Sequence, residues 1–324
     1  MGKFKGWSDK IPFVTRLILG LIFIADSMLK LIPDSAYLIK ENVLSGAYGA
    51  WSFVYPWVAF WANFTANNIN FLVAFAIVVE FLIGLFLILG LFKKFLYITG
   101  AVYSIVIWLT ISQFGGPYIA GTLNIGATPF YFLLFLLLIF TDRNFKTYDK
   151  SLDKIIEKKH KIWQKIGYFK QTKSKNEKIM VFALFSITFG ALLAINASLK
   201  LVSGTASNVA GNQLMQLLGE PRFLIPFFLF WDKLILPNIH LFLYLYAFSE
   251  FAIALLLIFG LFRKWDYLAG IVYSLFSWSV IQGFGGPFFP GITDLAAGPL
   301  YVLIFLMLIF YNSNLKILGF YAKK

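Results

Sequence analysis

Residues 80–94 read EFLIGLFLILGLFKK, and residues 250–264 read EFAIALLLIFGLFRK. Each stretch opens on a glutamate, continues with apolar side chains around the whole helical wheel, and closes on Gly-Leu-Phe and two cations. A helix that is apolar all round has no face for water, so it belongs in a core or a bilayer. Setting residue n against n+170 without a gap aligns 80–117 with 250–287, and 21 of those 38 positions are identical. Working outward, SMLKLI at 27–32 faces ASLKLV, Pro56 faces Pro226, Trp61 faces Trp231, and PFYFLLFLLLIF at 129–140 faces PLYVLIFLMLIF. Two copies of a four-helix unit, residues 1–144 and 179–324, joined by a basic cytoplasmic linker over 145–178, therefore make up the chain. An even number of spans per copy gives both copies one orientation, which predicts two tandem bundles related by a pseudo-twofold axis along the membrane normal.

Composition agrees with a bilayer. The 324 residues are 60 % hydrophobic, 19 % aromatic and 13 % charged, with a mean hydropathy of +0.78. A soluble globular domain carries about 25 % charged residues, so that class is excluded. Apolar runs recur at 13–32, 69–92, 95–113, 126–141, 179–202, 239–262, 266–283 and 297–312. A helix rising 1.5 Å per residue needs about 20 residues to cross the hydrocarbon core, so the runs predict an all-α integral membrane protein with eight transmembrane helices. The first run has no small-residue cleavage site after it and reads as a retained helix rather than a signal peptide.

The net charge of +13 is concentrated at Lys3, Lys5, Lys10, Lys93, Lys94, the 143–178 stretch, Arg263, Lys264, Lys323 and Lys324. All of these fall on one side if the spans alternate, which makes that side cytoplasmic and places both termini there. The basic middle reads as a topology determinant, with a lipid or partner docking patch as its alternative, and nucleic acid is not an expected partner.

Comparing the copies separates replaceable positions from retained ones. Glu80 and Glu250 lie mid-span, about 18 Å from either end at 1.5 Å per residue. A carboxylate at that depth costs roughly 2.5 to 3.5 kcal/mol, so both are candidate catalytic, proton-handling groups or polar anchors of a ligand site, or else protonated or paired acids locking helices together. Tyr103 with Tyr273 and Trp108 with Trp278, retained on the third helix of each copy, are candidate neighbours of these acids; Ser104 and Ser274 accompany them. Lys30 and Lys200 close the outer ends of spans one and five, and read either as interfacial anchors or, with Arg222 and Lys233, as an anion-binding set on the outer face. The second copy is richer there, carrying Glu220, Arg222, Asp232, Lys233, His240 and Asp294, which points to it as the active copy.

Both copies also keep a Phe-Gly-Gly-Pro corner after the third span: Gly115, Gly116 and Pro117, then Gly285, Gly286 and Pro287. Glycine permits φ > 0 and close backbone approach while proline removes a donor, so the corner reads as a helix terminator or a substrate mouth. The aromatic segments WSFVYPWVAFW at 51–61 and RFLIPFFLFW at 222–231 read as interfacial helices or re-entrant turns over it. With no cysteine, thiol relays, thiolate-held clusters and disulfides are excluded. His160 and His240 are too far apart in the expected topology for bis-histidine haem or a histidine metal site.

The order RLILGLIFIADSMLK, then VEFLIGLFLILGLFKK, then a third helix with a Gly-rich outer corner and a fourth ending at the inner face, resembles the DoxX/DoxD-like membrane proteins, here as a tandem duplication. The FGGP corner leans toward DoxD, the membrane subunit of thiosulfate:quinone oxidoreductase. The resemblance implies an enzyme, or its membrane subunit, in respiratory sulfur metabolism that oxidises a small sulfur anion outside and passes electrons to membrane quinone, with a small partner subunit or a terminal oxidase alongside. Quinone is the implied electron acceptor, with Tyr103, Trp108, Tyr273 and Trp278 implied to flank its ring, and with no metal or haem. A structural or assembly subunit of a respiratory complex and a small-solute transporter are the alternatives.

Overall fold

A computed structural model describes residues 10–142, except 117 and 120, and residues 175–312. Pro117, the terminal lysines Lys3, Lys5, Lys323 and Lys324, and residues 145–174 of the expected linker, His160 among them, lie outside the described residues. The described chain is all-helical, without strands.

Twelve helices carry it. They are α1 (Ile11–Leu29), α2 (Ser35–Tyr48), α3 (Tyr55–Asn67), α4 (Ile69–Leu89), α5 (Lys93–Leu109) and α6 (Thr128–Thr141). After the undescribed segment come α7 (Lys175–Leu199), α8 (Thr205–Gly219), α9 (Ile225–Ile235), α10 (Ile239–Phe259), α11 (Arg263–Phe276) and α12 (Gly298–Asn312). Among the described residues, four stretches are long and apolar enough to cross a membrane: Ile11–Leu29, Ile69–Leu89, Met180–Leu199, and Arg222–Phe259, which takes in α9 and α10. α6 and α12 are shorter apolar helices. The aromatic segments expected as interfacial helices or re-entrant turns fold as α3 and α9.

Local chemistry sets the ends. α1, α3, α6 and α9 each begin with proline in the first turn, where a missing N–H costs nothing. α4 and α10 each stop at a left-handed glycine, Gly90 with φ 68° and Gly260 with φ 65°. Leu91 and Leu261 then donate back to Phe86 and Leu256, closing the helix as a Schellman turn.

α1 lies along α4, α5 along α6, α7 along α10 and α11 along α12. The first pairing is close because both partners are small at the crossing. A Cβ on Gly20 would lie 2.8 Å from the Gly84 carbonyl, and one on Gly84 2.7 Å from the Gly20 carbonyl. Backbone approach of this kind is how helices associate where burial from water supplies no driving force. In the same manner Gly100 and Gly270 receive the rings of Phe135 and Phe305. α6 and α12 pack on each other, and α1 packs on α12, so one apolar core runs through both halves of the chain.

α2 and α3 build a second, smaller core of Ile39, Val43, Ala47, Val58 and Ala62, with Ile69, Val73 and Ile111 against it. α1 ends at Leu29, and its crossing with α4 at Gly20 and Gly84 places the end of α1 beside the middle of α4. Glu80 therefore sits at the junction of the two cores, level with Lys30.

Candidate functional site

At that junction Lys30 Nζ lies 2.6 Å from Glu80 Oε2, and both side chains are about nine-tenths buried. The ammonium also donates to the Asp26 carbonyl at 3.2 Å and the Thr293 carbonyl at 2.6 Å, which uses all three of its protons. Tyr103 donates its hydroxyl to Glu80 Oε1 at 2.8 Å. Tyr131 donates to Asp26 Oδ2, and the Leu295 amide donates to Asp26 Oδ1 at 3.0 Å. Thr293 and Leu295 belong to the loop between α11 and α12, so the second half of the chain completes the first half's ion pair.

The arrangement recurs at Lys200 with the halves exchanged. Lys200 pairs with Glu250, each side chain 2 % exposed. It donates as well to the Asn196 carbonyl at 3.3 Å and to the Leu123 carbonyl at 2.8 Å, the latter from the loop between α5 and α6. The Ile125 amide donates to Asn196 Oδ1 at 3.0 Å, and Asn196 Nδ2 donates to the Tyr301 hydroxyl at 2.8 Å.

The glycine corners seat these crossing loops. Gly115 has φ +86°, and a Cβ there would drive into the Ile125 carbonyl; Gly285 has φ +93°, and its Cβ would lie 2.8 Å from Leu295 Cα. Phe114 and Phe284 are also left-handed, at φ 61° and 54°, a conformation that costs roughly 1 to 2 kcal/mol for a side-chain-bearing residue. Trp108 and Trp278 hold those strained phenylalanines edge-on, with ring centroids 5.8 Å and 5.3 Å apart. Gly116 and Gly286 are extended, and Pro287 follows Gly286 through a cis bond.

The sequence-predicted residues are thus only partly assembled. Glu80, Tyr103 and Lys30 come together. Tyr273 stacks on Tyr246 with centroids 5.3 Å apart, and Trp108 and Trp278 serve the corners rather than the carboxylates. Lys30 and Lys200 are not outward-facing anchors or anion ligands, because each is turned inward and neutralised by a carboxylate. Arg222 and Lys233 are exposed and share no hydrogen bond or ion pair with them among the described residues.

Beside Lys30 and Glu80 lies a cavity of about 100 Å³, walled by Ile69, Leu72, Val73, Ala76, Ile107 and Ile111 and reached by Asp26, Tyr103, Tyr131 and Asp294. Two hydroxyls on its wall, Thr65 Oγ1 and Thr128 Oγ1, are buried without a hydrogen-bond partner. The second half has Tyr246 where the first has Ala76, and Ser277 where the first has Ile107. The Tyr246 hydroxyl meets Ser277 Oγ at 2.5 Å and its ring lies under Lys200 Nζ at 4.7 Å, so the space is filled. The cavity beside the retained pair is therefore in the first half, not in the second that its richer outer charge had suggested.

Charge differs too. Asp26, Glu80 and Asp294 face one lysine in the first half, whereas Asn196 and Asn124 stand at the positions of Asp26 and Asp294 in the second. Sequence reading passed over Asp26 because Asn196 breaks the identity between the copies, although an aspartate four residues before Lys30 in an apolar span was a signal. Nothing in the side-chain pattern announced Thr293 and Leu123, which act through backbone carbonyls. No family model, curated protein or solved structure matches the chain.

Proposed function

We propose that the chain is the quinone-binding membrane subunit of an oxidoreductase of the DoxX/DoxD-like kind, with the first-half cavity as its quinone site. In this reading it crosses the membrane eight times as two tandem four-helix bundles, units 1–144 and 179–324, with both termini and the linker 145–178 in the cytoplasm. Supporting it most is the pairing of an apolar cavity with two unpartnered hydroxyls and a buried carboxylate. A quinone headgroup is a flat apolar ring carrying two acceptor oxygens, and Thr65 and Thr128 offer donors for such oxygens. Glu80, hydrogen-bonded by Tyr103 and Lys30, is the group that would deliver protons as the ring is reduced.

The balanced reaction takes two thiosulfate ions, one quinone and two protons to one tetrathionate and one quinol. The sulfur donor rests on the resemblance, and of the cations expected to bind it only the exposed Arg222 and Lys233 remain free of a buried carboxylate. Purified chain in nanodiscs is expected to carry extractable quinone and to reduce a short-tailed quinone with thiosulfate, and Glu80→Gln to abolish turnover. Absence of both quinone and reduction in the wild type refutes the proposal. The saturation of every Lys30 proton favours a second reading, in which the pairs are locks of a structural or assembly subunit; co-purification with oxidase subunits and no turnover would support it.

A further inference from the structure

The C-terminal end of α8 gathers acceptor oxygens that nothing answers. Glu220 is 7 % exposed, and neither of its carboxylate oxygens has a hydrogen-bond partner; Gln216, 4 % exposed and one turn earlier, has an unpartnered Oε1. Both side chains pack on the second glycine corner. A Cβ on Gly283 would lie 2.8 Å from Glu220 Oε1 and 3.2 Å from Gln216 Cδ, and one on Gly286 would collide with Glu220 Oε1. The Gln216 amide nitrogen is already committed to the Ile281 carbonyl at 2.9 Å, which fixes Oε1 as the free end.

The first half has none of this. Ala50 and Gly46 replace Glu220 and Gln216, and Gln113 fills the space left by Gly283, donating to the Val43 carbonyl at 2.5 Å. The second half thus has a carboxylate and an amide where the first has Ala50 and Gly46, and a glycine where the first has Gln113. A cavity of about 280 Å³, lined by Gln213, Gln216, Gln282, Gly286 and Pro287, opens beside them. Its walls are amide-bearing rather than basic. Arg222, the nearest cation in sequence, is exposed and forms no ion pair with Glu220 among the described residues.

We propose that Glu220 and Gln216 form a binding site for a monovalent hard cation, Na⁺ or K⁺, held against the backbone of the Gly283–Gly286 corner. Three buried acceptors with no donor call for a positive charge, because a desolvated unpaired carboxylate is among the costliest groups to bury. One carboxylate with a neutral amide oxygen matches a single positive charge, and oxygen is the ligand that hard cations take. The helix dipole adds to it, since the C-terminal end of α8 carries partial negative charge. Burial pushes the Glu220 carboxyl up to about 7, a cost that a bound cation would offset. The site is separate from the Glu80 cavity and does not rest on the quinone reading.

Binding of ²²Na⁺ to the purified full chain in detergent, with choline chloride holding ionic strength, tests it. Saturable, near-equimolar binding displaced by unlabelled Na⁺ or K⁺ is expected, with affinity lowered roughly 10- to 100-fold in Gln216→Met and binding abolished in Glu220→Gln. Thermal unfolding of the same samples should show Na⁺ or K⁺ raising the Tm of wild type and leaving that of Glu220→Gln unmoved. No saturable Na⁺ or K⁺ binding to wild type, or undiminished binding to a folded Glu220→Gln, overturns the site.

Discussion

Lys200 and Glu250 illustrate what a buried pair does for a protein. Two charges taken from water are held by mutual attraction and by the carbonyls of Asn196 and Leu123, so removing one partner leaves the other uncompensated. Glu250→Gln is expected to destabilise the chain by about 3 to 5 kcal/mol in detergent unfolding titrations. Replacing both by apolar residues of similar volume, Lys200→Met with Glu250→Leu, should restore most of that loss. Glu220 is the opposite case, an acid without a partner. Burial raises its carboxyl from 4.5 to about 7, so the folded chain retains a proton that the unfolded chain releases. Unfolded protein then binds fewer protons, and stability in cation-free buffer should fall as pH rises from about 4.5 to about 7, level below and above that window. Glu220→Gln should lessen that slope, leaving the part that other buried acids such as Asp266 contribute, and pH-dependent thermal unfolding would read the difference. Glu80, Glu250 and the two lysines were legible because each is polar in or beside an apolar run and recurs at the 170-residue offset. Their pairing was not, since Lys30 sits at a helix end and Glu80 mid-helix, and the Gly20–Gly84 crossing that brings them within reach is a tertiary contact.

Among the elements, the Phe-Gly-Gly-Pro corners matter most. Each glycine with φ near +90° lets the following loop pass close enough for its backbone to reach the other half. Gly285→Ala adds a Cβ 2.8 Å from Leu295 in a backbone region strained for alanine, and should displace the Leu295 amide from Asp26. A loss of about 1 to 2 kcal/mol from the left-handed conformation alone is expected, with more from the clash, measured as a fall in Tm. Gly283→Ala should be damaging as well, through Glu220. The glycines were readable as sites of close approach; what approaches them was not. α2 and α8 also went unread, because a mixed stretch such as SAYLIKENVLSGAY has neither the apolar length of a span nor a clear turn signature.

At the scale of the molecule, the two halves of the chain complete each other's ion pairs through exchanged loops. The 170-residue offset was plain in the sequence, and helix bounds displaced by that interval accompany it, α4 at 69–89 and α10 at 239–259 among them. The exchange was not plain, since it is made by backbone carbonyls and amides that any residue carries. The chain has no cysteine, so introduced pairs report cleanly. A Cβ on Gly121 would lie 2.8 Å from that of Asn208, closer than the roughly 3.5 to 4.5 Å of a disulfide, so with a backbone shift of about 1 Å Gly121→Cys and Asn208→Cys should form one that keeps the halves joined after trypsin cuts the lysine-rich 145–178 stretch. The differences between the halves carry the functional account, above all Ala76 where the second half has Tyr246. Equilibrium binding of a short-tailed quinone, followed by quenching of tryptophan fluorescence in wild type and in Ala76→Tyr, tests that account most directly. Saturable binding to wild type that Ala76→Tyr loses while keeping the wild-type Tm is the predicted result; equal binding by a folded Ala76→Tyr would contradict it.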